Sequence, residues 1–198
     1  MRYRGIIHLL FICVMIYGLG AFADRVVTAQ PQPESASTQA RGITKPATDP
    51  WGTFTQISAG TSVIDRFTCA LNSSGNAYCW GHSRRGELGN GTNDGSESPV
   101  AVTMPAGVTF TAITSGNYLV CALASTGAAY CWGNPIGVGL GNGATTSSNV
   151  PVAVTMPAGV TFTAIETSST LAGSPHTCAL ASSGNVYCWG GEPLWTTW

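Results

Sequence analysis

The chain has 198 residues, 44% of them hydrophobic and only 9% charged, with eight basic against nine acidic side chains. From residue 51 onward the balance is three basic residues (Arg66, Arg84, Arg85) to six acidic ones, a net charge near −3 without a basic stripe. This excludes nucleic acid as the partner, because phosphate contacts dominate that affinity and need Lys and Arg.

The first element in chain order is a targeting segment, 1–23. Arg2 and Arg4 precede an apolar run from Ile6 to Phe22, and Ala21-Phe22-Ala23 is an A-x-A cleavage pattern placing the mature start at Asp24. The alternative is an uncleaved membrane anchor, since the run approaches the roughly 17–25 residues that span a bilayer. Residues 24–50, rich in Pro, Gln, Ser, Thr and Ala without periodicity, read as a disordered linker. Beyond it, 51–198 form one repeat domain.

Cys69-Ala-Leu-Asn-Ser-Ser-Gly-Asn-Ala-Tyr-Cys-Trp-Gly81 returns with few changes from Cys121 to Gly133 and from Cys178 to Gly190. Counted from Cys79 to Cys131 to Cys188, the period is 52 and then 57 residues. Each copy reads as a β-hairpin: Ser73-Ser74-Gly75 makes a three-residue loop in which Gly75 supplies the left-handed conformation. Pairing then sets Leu71 against Ala77, Ala70 against Tyr78 and Cys69 against Cys79. Opposed Cα atoms lie about 4.5–5.5 Å apart, within the range a disulfide tolerates. Cys69–Cys79, Cys121–Cys131 and Cys178–Cys188 are therefore expected as disulfides, with reduced buried cysteines as the alternative. Without Cys13 the count is even, which suits an exported chain. No CxxC spacing supports zinc.

Two strand-like runs, Val100 to Met104 and Val108 to Ile113, precede the second hairpin, and the fifteen residues Pro99 to Ile113 recur unchanged as Pro151 to Ile165. Both hairpin faces are apolar: Cys69 and Leu71 on one, Ala70, Tyr78 and Trp80 on the other. A sheet wetted on one side alternates apolar with polar residues, so both faces need cover. The expected fold is all-β: a partial β-propeller of about three four-stranded blades built from 52–57-residue repeats.

The Cys-Ala-Leu-x-Ser-x-Gly-x-x-Tyr-Cys-Trp-Gly motif, then Gly86-Glu87-Leu88-Gly89-Asn90-Gly91, then Pro99-Val100, resembles the regulator-of-chromosome-condensation repeat over about residues 53–190. The Gly-rich loop recurs, with insertions, from Gly137 to Gly143, and the paired cysteines resemble the secreted bacterial branch of that family. The resemblance implies a propeller, usually of seven blades, whereas this chain has three hairpins. The tail from Gly191 abandons the pattern. A truncated product of a longer gene is expected, the alternative being an arc that closes by self-association through its open edges.

No nucleophile elbow, Walker loop or His-Glu-x-x-His is present, so no enzyme activity, cofactor or metal is expected. Asn90 to Glu97 resembles a calcium loop only loosely and reads as a polar inter-blade loop. Asn72-Ser-Ser and Asn90-Gly-Thr match the glycosylation pattern. Gly86–Gly91, lacking Lys and a following helix, reads as turn geometry rather than a phosphate cradle. Arg84 and Arg85 are the one local basic patch and the candidate partner contact. The expected function is a secreted or cell-surface scaffold whose inter-blade loops bind a protein or glycan. Inhibition of an extracellular enzyme, in the manner of β-lactamase-inhibiting propellers that resemble this family, is the alternative. Guanine-nucleotide exchange, the family's eukaryotic role, ranks below both.

Overall fold

The computed structural model describes residues 50–60, 66–136, 139–168 and 175–190. The targeting segment 1–23, nearly all of the linker 24–50 and the tail 191–198 lie outside the described residues.

Within this region eleven strands form three antiparallel meanders. The first blade is β1 (Phe54–Gly60), β2 (Phe67–Asn72), β3 (Ala77–Gly81) and β4 (Ser96–Ala101), in that order across the sheet. The second is β5 (Phe110–Ser115), β6 (Leu119–Ala124), β7 (Ala129–Gly133) and β8 (Ser148–Ala153), in the same order. The third contains β9 (Phe162–Thr167), β10 (His176–Ala181) and β11 (Val186–Gly190). A fourth strand there would follow Gly190, outside the described residues.

The hairpin register is the one the motif predicts: Leu71 faces Ala77, Ala70 faces Tyr78 and Cys69 faces Cys79. The same register holds at Cys121 and Cys131 and at Cys178 and Cys188. All three cysteine pairs are bonded, with Cα atoms 4.1 Å apart. At the tip, Gly75 has a φ of +78° and its N–H donates to the Asn72 carbonyl. The strand-like run from Val100 divides differently from expectation. β4 ends at Ala101; Val102 N–H still bonds the Ala77 carbonyl in register, but Thr103 N–H leaves the sheet for the Gly89 carbonyl. A turn at Pro105–Val108, closed by Val108 N–H on the Pro105 carbonyl with Gly107 at φ +71°, leads into β5.

The first strand of each blade carries a bulge. The pairing of β1 with β2 shifts between Phe54 and Gln56, and that of β5 with β6 between Phe110 and Ala112. The extra residue is Thr in both, and its hydroxyl donates to the carbonyl of Leu71 or Leu123. A bulge reverses the alternation of faces. Phe110 and Ile113, three apart, thereby share one buried cluster.

Blades stack face to face. The Cys69, Leu71, Ala77 and Cys79 face of the first packs on Val120, Ala122, Ala124 and Trp132 of the second. The Cys121, Leu123, Ala129 and Cys131 face of the second packs on Ala179, Ala181 and Trp189 of the third. The cover that two apolar faces demand is thus the neighbouring blade. Inner strands are tied as well: Gln56 donates to the Thr111 carbonyl and accepts from Ile113 N–H, and Ser58 Oγ accepts from Ser115 N–H. Between the second and third blades Thr114 Oγ1 accepts from Thr167 N–H.

Each blade repeats an aromatic trio. Phe54 meets Tyr78 and Trp80, Phe110 meets Tyr130 and Trp132, and Phe162 meets Tyr187 and Trp189, all at centroid distances of 5.7–6.2 Å. The Gly-rich loop is more than a turn. Trp132 Nε1–H donates 2.9 Å to the Glu87 carbonyl, and a Cβ added to Gly89 (φ +64°) would meet Trp132 Nε1 at 2.6 Å. The loop of one blade is the seat for the next blade's tryptophan. Gly141 plays the same part, its Cβ position lying 2.7 Å from Trp189 Cδ1.

Candidate functional site: a polar groove between two blades

Antiparallel meanders send alternate loops to opposite ends. The hairpin tips at Ser73–Gly75, Ser125–Gly127 and Ser182–Gly184 share one end with the Pro-Ala-Gly turns, and no charged residue lies on them. The other end carries the long connections β3–β4 and β7–β8 and the short turn Gly116–Tyr118. Among the described residues, all three arginines of the repeat region lie at that end. Among the described loop residues, charged side chains therefore lie at one end.

A groove of 370 Å³ opens there between the first two blades. Arg84, Arg85 and Asn93 line it from the β3–β4 connection, and Asn134, Ser147, Ser148 and Asn149 from the second blade. Local bonds set its walls. Asn149 closes on the first blade with two bonds of 2.9 Å, its Nδ2 donating to the Gly91 carbonyl and its own carbonyl accepting from Gly91 N–H. Asn134 Oδ1 accepts from Ile136 N–H, and Ser148 Oγ donates to the Val150 carbonyl.

Arg85 is the best-positioned cation. Its guanidinium lies 4.2 Å from the centroid of the Tyr118 ring, which holds a planar cation in place without neutralising it. Tyr118 is itself buried and has a φ of +59°. That conformation is uncommon for a bulky residue and costs on the order of 1–3 kcal/mol. Two bonds enforce it: Gly116 N–H donates to the Leu119 carbonyl, and the Tyr118 carbonyl accepts from Asn134 N–H. The Glu87 carboxylate, wholly buried, accepts from Arg85 N–H at 2.8 Å and fixes the turn that presents the two arginines. A groove with guanidinium, carboxamide and hydroxyl groups on its walls suits carboxylates and hydroxyl-rich ligands.

Arg84 and Arg85, the candidate contact in the sequence, thus sit together on this groove. Tyr118, Asn134 and Asn149 carry no sequence signal, because they come from a different repeat. Asn72 loses its place as a glycosylation acceptor. Its Oδ1 accepts from Ser74 N–H and Asn76 N–H, its Nδ2 donates to the Trp51 carbonyl, and the residue is buried. In the Asn90–Glu97 loop, Asn90 Oδ1 is engaged by Thr92 N–H and the Thr92 hydroxyl, a local turn rather than a convergent ligand set.

Residues 74–123 match the family model described as the regulator of chromosome condensation (RCC1) repeat, and residues 54–87 and 172–192 match a second model of the same description. Residues 54–123 and 172–192 thus carry repeats of the regulator of chromosome condensation type. Among relatives of this repeat, the human and mouse E3 ubiquitin-protein ligase HERC2 is 30% identical over 126 residues, 64% of this chain and 2% of that protein. The mitochondrial RCC1 domain-containing protein RUG3 of Arabidopsis thaliana is 30% identical over 124 residues, 63% of this chain and 27% of RUG3. The chain therefore spans a small part of the curated relatives it matches. Human WBSCR16 shares the repeat architecture with a TM-score of 0.61 and 23% identity, over 70% of this chain and 33% of that one. Yeast RCC1 (Prp20), seen bound to Kap60, gives 0.53 and 19%, over 69% of this chain and 32% of its own. The fold is a partial β-propeller of such repeats, with three blades described here.

Proposed function

We propose that this chain is a protein- or glycan-binding scaffold working in an oxidising compartment at or outside the cell surface. Its binding end is the one that carries the Arg84–Arg85 groove. The observation that carries the reading is the concentration of polar and cationic groups at that end, against hairpin tips that bear no charge. Relatives of the same fold support a protein ligand: the yeast protein Prp20 is described in complex with Kap60, and its binding to Gsp1p and histones is described too. Three bonded cysteine pairs support the compartment, because reducing cytosol keeps such pairs open. Rigid sheets with variable loops at one end are a frame on which binding sites are commonly built.

The test is affinity capture from the extracellular or surface fraction, paired with a glycan array, using the wild-type chain and the Arg84→Ala/Arg85→Ala double variant. Wild-type is expected to retain a ligand that the double variant loses, with Arg85→Lys intermediate because an ammonium lacks the planar fork. Equal retention by the double variant removes the groove from the account.

A further inference from the structure

We propose that a second copy of this chain docks head to tail on the described array, the cysteine face of the third blade of one copy covering the aromatic face of the first blade of the other. The proposal stands on the stacking geometry and not on the groove described above.

The three blades provide the same positions in three settings. Ile113 and Ile165 are each 9% exposed, covered by the preceding blade, whereas the matching Ile57 is 72% exposed. Leu71 and Leu123 are each 2% exposed, covered by the following blade, whereas the matching Leu180 is 41% exposed. Val186, in the place of Ala77 and Ala129, is open as well. Ile57 thus stands open on the aromatic side of the first blade, and Leu180 and Val186 on the cysteine side of the third. The two are halves of a contact the molecule already makes twice.

The polar partners recur too. At both internal junctions the hairpin-tip glycine is crowded by the next blade. A Cβ on Gly75 would meet the Phe110 carbonyl oxygen at 2.9 Å, and one on Gly127 would meet Thr161 Cβ at 2.8 Å. Their carbonyls accept from Phe110 N–H and Phe162 N–H, each at 2.9 Å. At Gly184 none of the described residues lies within 4 Å of that position, so its carbonyl is placed to accept from Phe54 N–H of the second copy. On the inner strands, Ser58 and Thr114 accept from the backbone N–H of Ser115 and Thr167. The matching residue of the third blade is Glu166, opposite Cys178 as Ser58 is opposite Cys69. Its exposed carboxylate is placed to accept from Ala59 N–H of the second copy, and β1 carries no charge to oppose it. A shallow depression of 280 Å³ lined by Glu166, Cys178, Leu180 and Val186 is available for Ile57. Such a contact is heterologous, so copies form a ring where the rotation closes and extend where it does not.

Sedimentation velocity of the full, oxidised chain at micromolar concentrations tests this. Wild-type is expected to sediment as a dimer or larger assembly, and Ile57→Asp or Leu180→Asp alone to abolish it while near-UV circular dichroism stays unchanged. Mixing the two blocked variants is the decisive arm. One still has a good third blade and the other a good first blade, so a heterodimer that cannot extend is expected. Should either Asp variant fail to fold, Ile57→Ser and Leu180→Ser repeat the measurement with a milder change. A wild-type monomer overturns the proposal and leaves the faces to a different protein. A dimer that persists in one blocked variant, or no recovery on mixing, overturns the head-to-tail arrangement.

Discussion

Replacing Trp132 with Ala probes the stacking of blades where it is tightest. The residue is wholly buried, its ring stacks on Phe110 at 6.2 Å, and its indole N–H donates to the Glu87 carbonyl at 2.9 Å across 45 residues of sequence. Truncating a buried tryptophan costs about 3–5 kcal/mol in lost burial and residual cavity. Leaving the Glu87 carbonyl without its donor adds about 1 kcal/mol. Domain stabilities run to about 5–15 kcal/mol, so the loss is a large share of the total. Trp80 occupies the same place in the motif and meets its own Phe54 at 6.2 Å, yet is only half-buried. Trp80→Ala is expected to cost about 1–2 kcal/mol, in proportion to the area it hides. Trp132→Phe keeps the ring contact, loses the donor and falls between. Urea denaturation followed by far-UV circular dichroism gives all three numbers without depending on tryptophan emission, with protein dilute enough that self-association does not contribute. A cost for Trp80→Ala equal to that for Trp132→Ala would refute the reasoning, since the hairpins rather than their stacking would then hold the array together.

Gly89→Ala is expected to destabilise by about 2–4 kcal/mol, the sum of a left-handed alanine and the collision with Trp132, whereas Gly143→Ala, with φ +82° and open space around it, carries only the backbone part of about 1–2 kcal/mol. Paired thermal melts separate the two, and equal shifts would deny Gly89 its role as a seat. Titration of protein dilute enough to be monomeric with a thiol reductant, read by alkylation and mass spectrometry, is expected to open Cys178–Cys188 first, because Cys69, Cys79, Cys121 and Cys131 are fully buried while the third pair is half-exposed. Each opened pair lowers stability by about 2–3 kcal/mol. Simultaneous opening would show that access is not limiting. Asn72→Ala, which removes two bonds within the first hairpin tip and a third to the Trp51 carbonyl, is expected to cost about 2 kcal/mol in urea. A change below about 0.5 kcal/mol would place the tip's stability in its backbone alone.

Some of this was written in local sequence. The hairpin register, the disulfide pairs and the need to cover both faces follow from a two-residue alternation and a Gly-closed loop, which are short-range properties. Four short strands per repeat, stacked so that neighbours cover those faces, already implied propeller blades, and the resemblance to a repeat family agreed. Alternation does not hold through the first strand of each blade, where Thr55, Thr111 and Thr163 each take an extra place and bring Phe54 and Ile57, Phe110 and Ile113, and Phe162 and Ile165 to one side. Nothing local marks that place beyond a threonine able to bond the facing strand. The buried Glu87 was equally hidden, since an acidic residue in a Gly-rich loop reads as solvated until the fold wraps it.

By itself, the sequence determined the unit: a stapled hairpin, its face chemistry and its recurrence, all set by interactions between residues a few positions apart. Only the tertiary structure decided that Arg85 rests on Tyr118, that Trp132 seats on Gly89 of another repeat, and which faces of the array stay open. Those outcomes join residues some 30 to 50 positions apart. They depend on the twist and spacing of stacked sheets, which no stretch of chain specifies until its neighbour has packed against it.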